Sequence, residues 1–254
     1  MWPTAGIPSW RPAQSAPGLG EHEIHLWCAA VGDFRSDLRR LELTLSRDER
    51  LRAAQFRSVT DREAFIVRRG ILRRLLGQYL DREATAIAFA YGRFGKPAVA
   101  AAPNDRRLYF NLSRSGPLVL YAVSRAGPVG VDVERLRPMP DFPQIVSQFF
   151  SPLEASRVLT QPPDRQMDAF FAAWTRTEAL TKATGDGIGR GSSRMSADCE
   201  DESRLNDRWH FEELRPAAGY VSTLAHNIGG ARLRHLQVGV SAQSREGPQE
   251  QLIR

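Results

Sequence analysis

The residues best placed to do chemistry are carboxylates and a lysine in two short stretches. In Val129-Gly130-Val131-Asp132-Val133-Glu134, strand alternation sends the three valines one way and Gly130, Asp132 and Glu134 the other. The valines then face a core, and two carboxylates one pleat repeat apart converge on a common point. Like charges that close repel and raise one pKa, a conflict that a hard divalent cation such as magnesium relieves. An ordinary solvated strand face, paired with Arg135 and Arg137, meets the same spacing, and on this strand alone it is the preferred reading.

The second stretch runs from Phe170 to Lys182. Phe170, Trp174, Glu178 and Lys182 fall in one i, i+4 row of a helix. A Glu four residues before a Lys is also a plain helix ion pair, worth only about 0.2–0.5 kcal/mol. A tryptophan in the same row, however, implies partial burial of the pair. Lysine is also scarce: of 35 basic residues, only Lys96 and Lys182 are lysines. Arginine and lysine differ in shape, hydration and tunable pKa, so a retained lysine can mark a place that needs a compact point charge. Biased codon use with two chance survivors is the competing explanation.

The elements that would position these groups can be read along the chain. His22 to Ala30 reads as a first strand with Ile24, Leu26 and Cys28 on one face. Capping boxes at Ser46/Glu49, Thr60/Glu63 and Ser151/Glu154 open helices, the last with Pro152 at its first position. In the second of these helices Phe65, Leu72, Leu75, Leu76 and Tyr79 share an apolar stripe. Its arginines Arg62, Arg68, Arg69, Arg73 and Arg74 are expected on a solvated face. Gly92 to Pro97 is a turn carrying Lys96; Leu108–Leu112, ending at Ser113, and Leu118–Ser124 are strands. Ala169 to Thr184 is a helix, Gly185 to Arg208 loop-like, and Trp209–Leu214, Tyr220–Ala225 and Leu233–Val240 further strands. The order suggests an α+β fold of two similar halves, 21–126 and 127–240. Residues 1–20 read as a flexible extension and 241–254 as a disordered tail.

Composition narrows the class. No apolar run approaches the roughly 20 residues of a membrane span, and no secretory signal is recognisable at the N-terminus. Two cysteines cannot build a disulfide scaffold, so a reducing cytoplasm is the expected location. The net charge of +6 favours anionic partners. Nucleic acid is disfavoured, because acidic residues are interspersed in the arginine-rich helix and no aromatic stacking series accompanies it.

Four motifs in order resemble the Sfp-type 4′-phosphopantetheinyl transferases. Gly130 to Glu134 matches the family's G-[IV]-D-[IV]-E strand, and Trp174 through Glu178 to Lys182 its W-x-x-K-E-x-x-x-K helix. Gly95-Lys96-Pro97 matches a G-K-P turn, and Asn111-Leu112-Ser113-Arg114-Ser115-Gly116 matches N-[LI]-S-H-S-G. The similarity runs from about residue 24 to 240 and places both lysines at family positions.

The resemblance implies two pseudo-duplicated halves with coenzyme A between them, the adenine and 3′-phosphate on the N-terminal side and metal and catalysis on the C-terminal side. Asp132, Glu134 and Glu178 would hold magnesium on the pyrophosphate. Glu178 would act as, or position, the base for the serine of an apo carrier protein, and Lys182 would neutralise the departing phosphate. Lys96, Ser113 and Arg114, with Arg52 or Arg69, would bind coenzyme A. The partner would be an acidic acyl or peptidyl carrier protein and the enzyme a monomer. Two positions depart from the pattern: Arg114 replaces the usual His, and Thr177 replaces the Lys beside Glu178. They motivate a rival reading, a family member that binds coenzyme A or a carrier without efficient transfer.

Overall fold

The computed structural model describes residues 8–100, 107–185 and 208–240. Strands β1 (Arg11–Ala13), β2 (Glu23–Ala30), β5 (Tyr109–Ser115), β6 (Leu118–Ser124) and β10 (Arg232–Val238) form a five-stranded sheet in the order β1-β10-β2-β6-β5. A three-stranded sheet has the order β7-β9-β8, from β7 (Val129–Arg135), β8 (His210–Leu214) and β9 (Tyr220–His226). Strands β3 (Phe89–Tyr91) and β4 (Pro97–Val99) make a small hairpin. The helices are α1 (Leu38–Leu43), α2 (Arg47–Ala54), α3 (Val59–Leu80), α4 (Phe142–Phe149), α5 (Pro152–Leu159) and α6 (Pro163–Thr184). The expected α+β class stands.

Period-two alternation explains the layering. Trp27 and Ala29 of β2 join Ile71, Leu72, Leu75 and Leu76 of α3 in one core, while Ile24, Leu26 and Cys28 meet Val129, Val131 and Val133 of β7 in another. The five-stranded sheet is therefore covered on both faces, by α3 and by the smaller sheet. Helix α6 packs on the far side of the smaller sheet, against β7 and β9. An aromatic cluster of Phe142, Phe150, Phe170 and Phe171 ties α4 and α5 to α6.

Several local expectations are corrected. The segment before residue 21 is not loose throughout. Arg11–Ala13 pair in parallel with Leu236–Val238, and the Trp10 indole donates to the Pro216 carbonyl at 2.9 Å. Pro12 costs nothing there, because an edge strand need not donate on both sides. Residues 1–7, 186–207 and the expected tail 241–254 lie outside the described residues. Helix α3 is capped by Ser58, whose hydroxyl accepts from the Asp61 amide, rather than by Thr60. Strand β10, assigned by sequence to the C-terminal half, lies between β1 and β2 of the N-terminal sheet.

The arginine-rich face of α3 is also not simply solvated. Arg73 is 2% exposed; it donates to Glu49 at 2.6 Å and to the carbonyls of Ala84 and Ile87. Arg69 pairs with the same Glu49 and with the Tyr91 hydroxyl, and lies 3.9 Å over the Phe89 ring. Burial pushes the Glu49 carboxyl up, but Arg73, the Ser46 amide and Arg69 outweigh it and hold it below its usual range.

Candidate active site

The candidate site lies where β5, the edge of the larger sheet, meets β7, the edge of the smaller one. An edge strand leaves backbone groups unpaired. Here side chains from one face of β5 satisfy them: Asn111 Oδ1 accepts from the Val131 amide at 2.9 Å, and Ser115 Oγ from the Arg135 amide at 3.0 Å. Ser113, between them, donates to Asp132 Oδ1 at 2.8 Å. The polar N-x-S-x-S spacing thus joins the two sheets by side chains.

Helix α6 supplies the rest. Gly130 lets it approach β7 without an intervening side chain, so that Lys182 Nζ reaches Asp132 Oδ1 at 2.5 Å and Ser113 Oγ at 3.0 Å. A longer contact, 3.4 Å, runs to the Val131 carbonyl. The Lys182 side chain keeps 27% exposure, so its ammonium is not sealed in. One turn earlier Glu178 is buried beneath the same seam. Phe170 stacks on Trp174, with ring centroids 6.2 Å apart, at the other end of the row.

Burial dominates the electrostatics. It pushes the Asp132 carboxyl up, against the pull of Lys182 and Ser113. Glu134 is raised by burial and by Asp132, with the Ser115 hydroxyl opposing, and Glu178 is raised by burial, then Asp132 and Glu134, against Lys182. Asp132 thus raises both glutamates, and Glu134 raises Glu178, beside one lysine. Asp132 Oδ2 is buried with no hydrogen-bond partner among the described residues. An orphaned buried carboxylate oxygen costs free energy unless a cation or donor meets it, and an all-oxygen donor set suits magnesium. Among the described residues no three such groups already stand in a metal-binding cluster. Magnesium takes hard oxygen ligands, protein carboxylates together with substrate phosphates and waters. The residues fit the ion on those terms.

The other candidates are placed as follows. Lys96 donates to the Ala183 carbonyl at 2.9 Å, joining the β3–β4 hairpin to the end of α6 one residue beyond Lys182. Arg114, being one residue from Ser113 and Ser115, points to the opposite face of β5. It is exposed there, and its charge together with burial brings Arg68 down to about 10. Arg52 is exposed, 5.7 Å from the Phe65 ring, whereas Arg69 is committed to Glu49, Tyr91 and Phe89. Thr177 turns its hydroxyl back to the Ala173 carbonyl at 3.2 Å, so the missing lysine leaves no orphan there. Sequence reasoning did not single out Asn111 or Ser115 as site residues; their signal was the same-face spacing with Ser113.

An α+β enzyme with its polar cluster at the seam of two sheets is the class this geometry defines. A family model described as the 4′-phosphopantetheinyl transferase superfamily matches residues 128–228, the span that holds β7, α6 and β9. The 4′-phosphopantetheinyl transferase HetI of Nostoc sp. is 38% identical over 182 residues, covering 72% of this chain and 77% of that protein. The 4′-phosphopantetheinyl transferase psf-1 of Bacillus pumilus is 34% identical over 177 residues, covering 68% and 73% respectively. The chain belongs to the 4′-phosphopantetheinyl transferase superfamily.

Proposed function

We propose that the protein transfers the 4′-phosphopantetheine group of coenzyme A to a serine of an apo acyl or peptidyl carrier protein, releasing 3′,5′-ADP. Its membership of the superfamily supports the reaction. The single observation that carries the site is Asp132, held through Oδ1 by Ser113 and Lys182 and left with Oδ2 unpartnered.

Asp132, Glu134 and Glu178 would hold magnesium. When bound, the ion would anchor the pyrophosphate and offset its charge. The carrier serine attacks the β-phosphorus, the bond to the bridging oxygen breaks, and 3′,5′-ADP leaves. Glu178, on α6 beside the same carboxylates, takes the serine proton or positions the base that does. Lys182, partly exposed at the seam, neutralises the charge that grows on the departing phosphate.

Lys96 and Arg114 would grip the 3′-phosphate and adenine end. Arg68, half-buried and beside Arg114, is the nearer second guanidinium, because Arg69 is engaged with Glu49. Arg52 remains exposed for the same task. The net charge of +6 suits an acidic carrier surface. We read the enzyme as acting as a monomer, because residues of both sheets of this chain already line the seam. No helix among the described residues is long and apolar enough to cross a membrane, and we place the enzyme in the cytoplasm.

The test incubates the protein with coenzyme A, magnesium and a panel of apo carrier proteins, and reads intact mass. A gain of one phosphopantetheine on at least one carrier, lost on chelation and in Asp132→Ala, is the expected result. No gain on any carrier, with a known transferase active in parallel, overturns the reading.

A further inference from the structure

The two carboxylates of β7 are held in the same way, a pleat apart. In each, a serine of β5 donates to one oxygen: Ser113 to Asp132 Oδ1 and Ser115 to Glu134 Oε2, both at 2.8 Å. In each, the other oxygen takes no hydrogen bond from the described residues. Asp132 Oδ2 is buried and orphaned, and among the described residues no donor meets Glu134 Oε1, Arg137 at 4.0 Å approaching Oε2.

Ser115 differs from Ser113 in having no lysine beside it. Its oxygen accepts from the Arg135 amide at 3.0 Å, and its one proton points to Glu134. A hydroxyl has a single proton to donate, and with one lone pair occupied by the Arg135 amide its directions are narrowed towards Glu134. The backbone of β7 thus sets the hydroxyl, and the hydroxyl sets the carboxylate of the adjoining residue. Held at both ends, the Glu134 side chain loses the rotamer freedom that it would otherwise give up on binding a cation.

We propose that Ser115 is a positioning residue for the transfer reaction, fixing Oε2 of Glu134 so that Oε1 is presented to the metal. The inference rests on the reading of Glu134 as a magnesium ligand. Ser115 touches neither coenzyme A nor the carrier in this scheme; it acts through Glu134. The same-face spacing Ser113-x-Ser115 on β5 answers Asp132-x-Glu134 on β7, so the metal carboxylates are set by the opposite sheet rather than by their own.

The test compares the wild-type chain with Ser115→Ala, Ser115→Thr and Glu134→Gln. Magnesium affinity is measured by calorimetry in the presence of coenzyme A without a carrier, and separately by the magnesium dependence of transfer. Outer-shell partners of a metal ligand typically contribute about 10–100-fold in affinity. The expected result for Ser115→Ala is a loss of that size in calorimetric affinity, a parallel rise in the half-saturating magnesium concentration, and kcat largely retained at saturating metal. Ser115→Thr, which keeps the hydroxyl, recovers most of the affinity. If Ser115→Ala does not fold by circular dichroism, Ser115→Cys, near in volume but a weak donor, is measured against the same standard.

Wild-type metal affinity in the folded Ser115→Ala variant, with Glu134→Gln impaired, overturns the role of Ser115 and leaves the metal site standing. Unchanged affinity in Glu134→Gln as well removes the metal reading, and the role of Ser115 falls with it. A kcat loss in Ser115→Ala that saturating magnesium does not restore, with affinity unchanged, also counts against it.

Discussion

A β-carbon built on Gly130 would lie 2.0 Å from the carbonyl oxygen of Ala179. It would also lie 2.4 Å from the Ala183 amide nitrogen, so the obstruction is helix backbone and no side chain can turn aside. The glycine of the strand motif is there for close approach of α6, which delivers Glu178 and Lys182 to Asp132.

Gly130→Ala is therefore expected to force α6 away from β7. Overpacking typically costs about 1–3 kcal/mol, and with backbone on both sides the upper end or beyond applies. Denaturant unfolding should show that loss, and transfer activity should fall more than stability alone explains, because the Lys182–Asp132 contact opens. A variant of wild-type stability and activity would refute the packing argument.

Lys182→Ala is expected to cut turnover by about 100-fold or more, the scale of losing one charge-stabilising donor. It also leaves Asp132, 4% exposed, without its cation. The Asp132 carboxyl, already raised by burial, then rises further above its unfolded value. A raised carboxylate disfavours the folded state as pH climbs from the unfolded pKa towards the folded one. The stability deficit of Lys182→Ala should accordingly be larger at pH 8 than at pH 5. Denaturant midpoints across that range, relative to wild type, check the sign.

Glu49→Gln is expected to be among the costliest polar substitutions outside the seam. Removing the charge leaves Arg73 buried, and Arg69 mostly so, with no carboxylate; breaking such a pair costs about 3–5 kcal/mol. Because the Glu49 carboxyl is held below its usual range, its contribution is present above the unfolded pKa and is lost as pH falls through the folded one. Thermal unfolding of Glu49→Gln and wild type should therefore differ clearly at neutral pH and converge in acid.

His226 supplies a separate pH dependence. Burial, and the facing charge of His210 on β8, bring it down to about 4. The folded chain thus holds it neutral while the unfolded chain protonates it near pH 6.5. Stability is lost as pH falls from about 6.5 towards 4, by on the order of 3 kcal/mol for this group. Other buried groups titrate in the same range, so the test is the difference between wild type and His226→Gln. The variant should show the shallower acid slope, and an identical slope would refute the assignment.

The sequence made the chemistry more legible than the architecture around it. Strand alternation placed Val129, Val131 and Val133 in a core and Asp132 at the seam, and the helical row placed Glu178 and Lys182 together. These are local periodicities, fixed by backbone geometry alone. What periodicity could not show was the partner across the seam: Ser113 and Ser115 answer Asp132 and Glu134 through a contact between two sheets. Nor could it show that Arg73 is buried, because Glu49 comes from another helix and only the fold brings the charges together. Arg11–Ala13 escaped notice since a three-residue edge strand has too little length for a pattern, and its partner lies more than 200 residues away.

The position of β10 bears on how the chain is made. It lies between β1 and β2, parallel to both, so neither can complete its hydrogen bonding until residue 238 has been synthesised. A ribosome adds residues from the N-terminus at about 5–20 per second, and sequence-distant pairing is slow to form. Through most of translation β2 therefore presents an open edge, and the emerging chain depends on that edge staying unoccupied until β10 arrives.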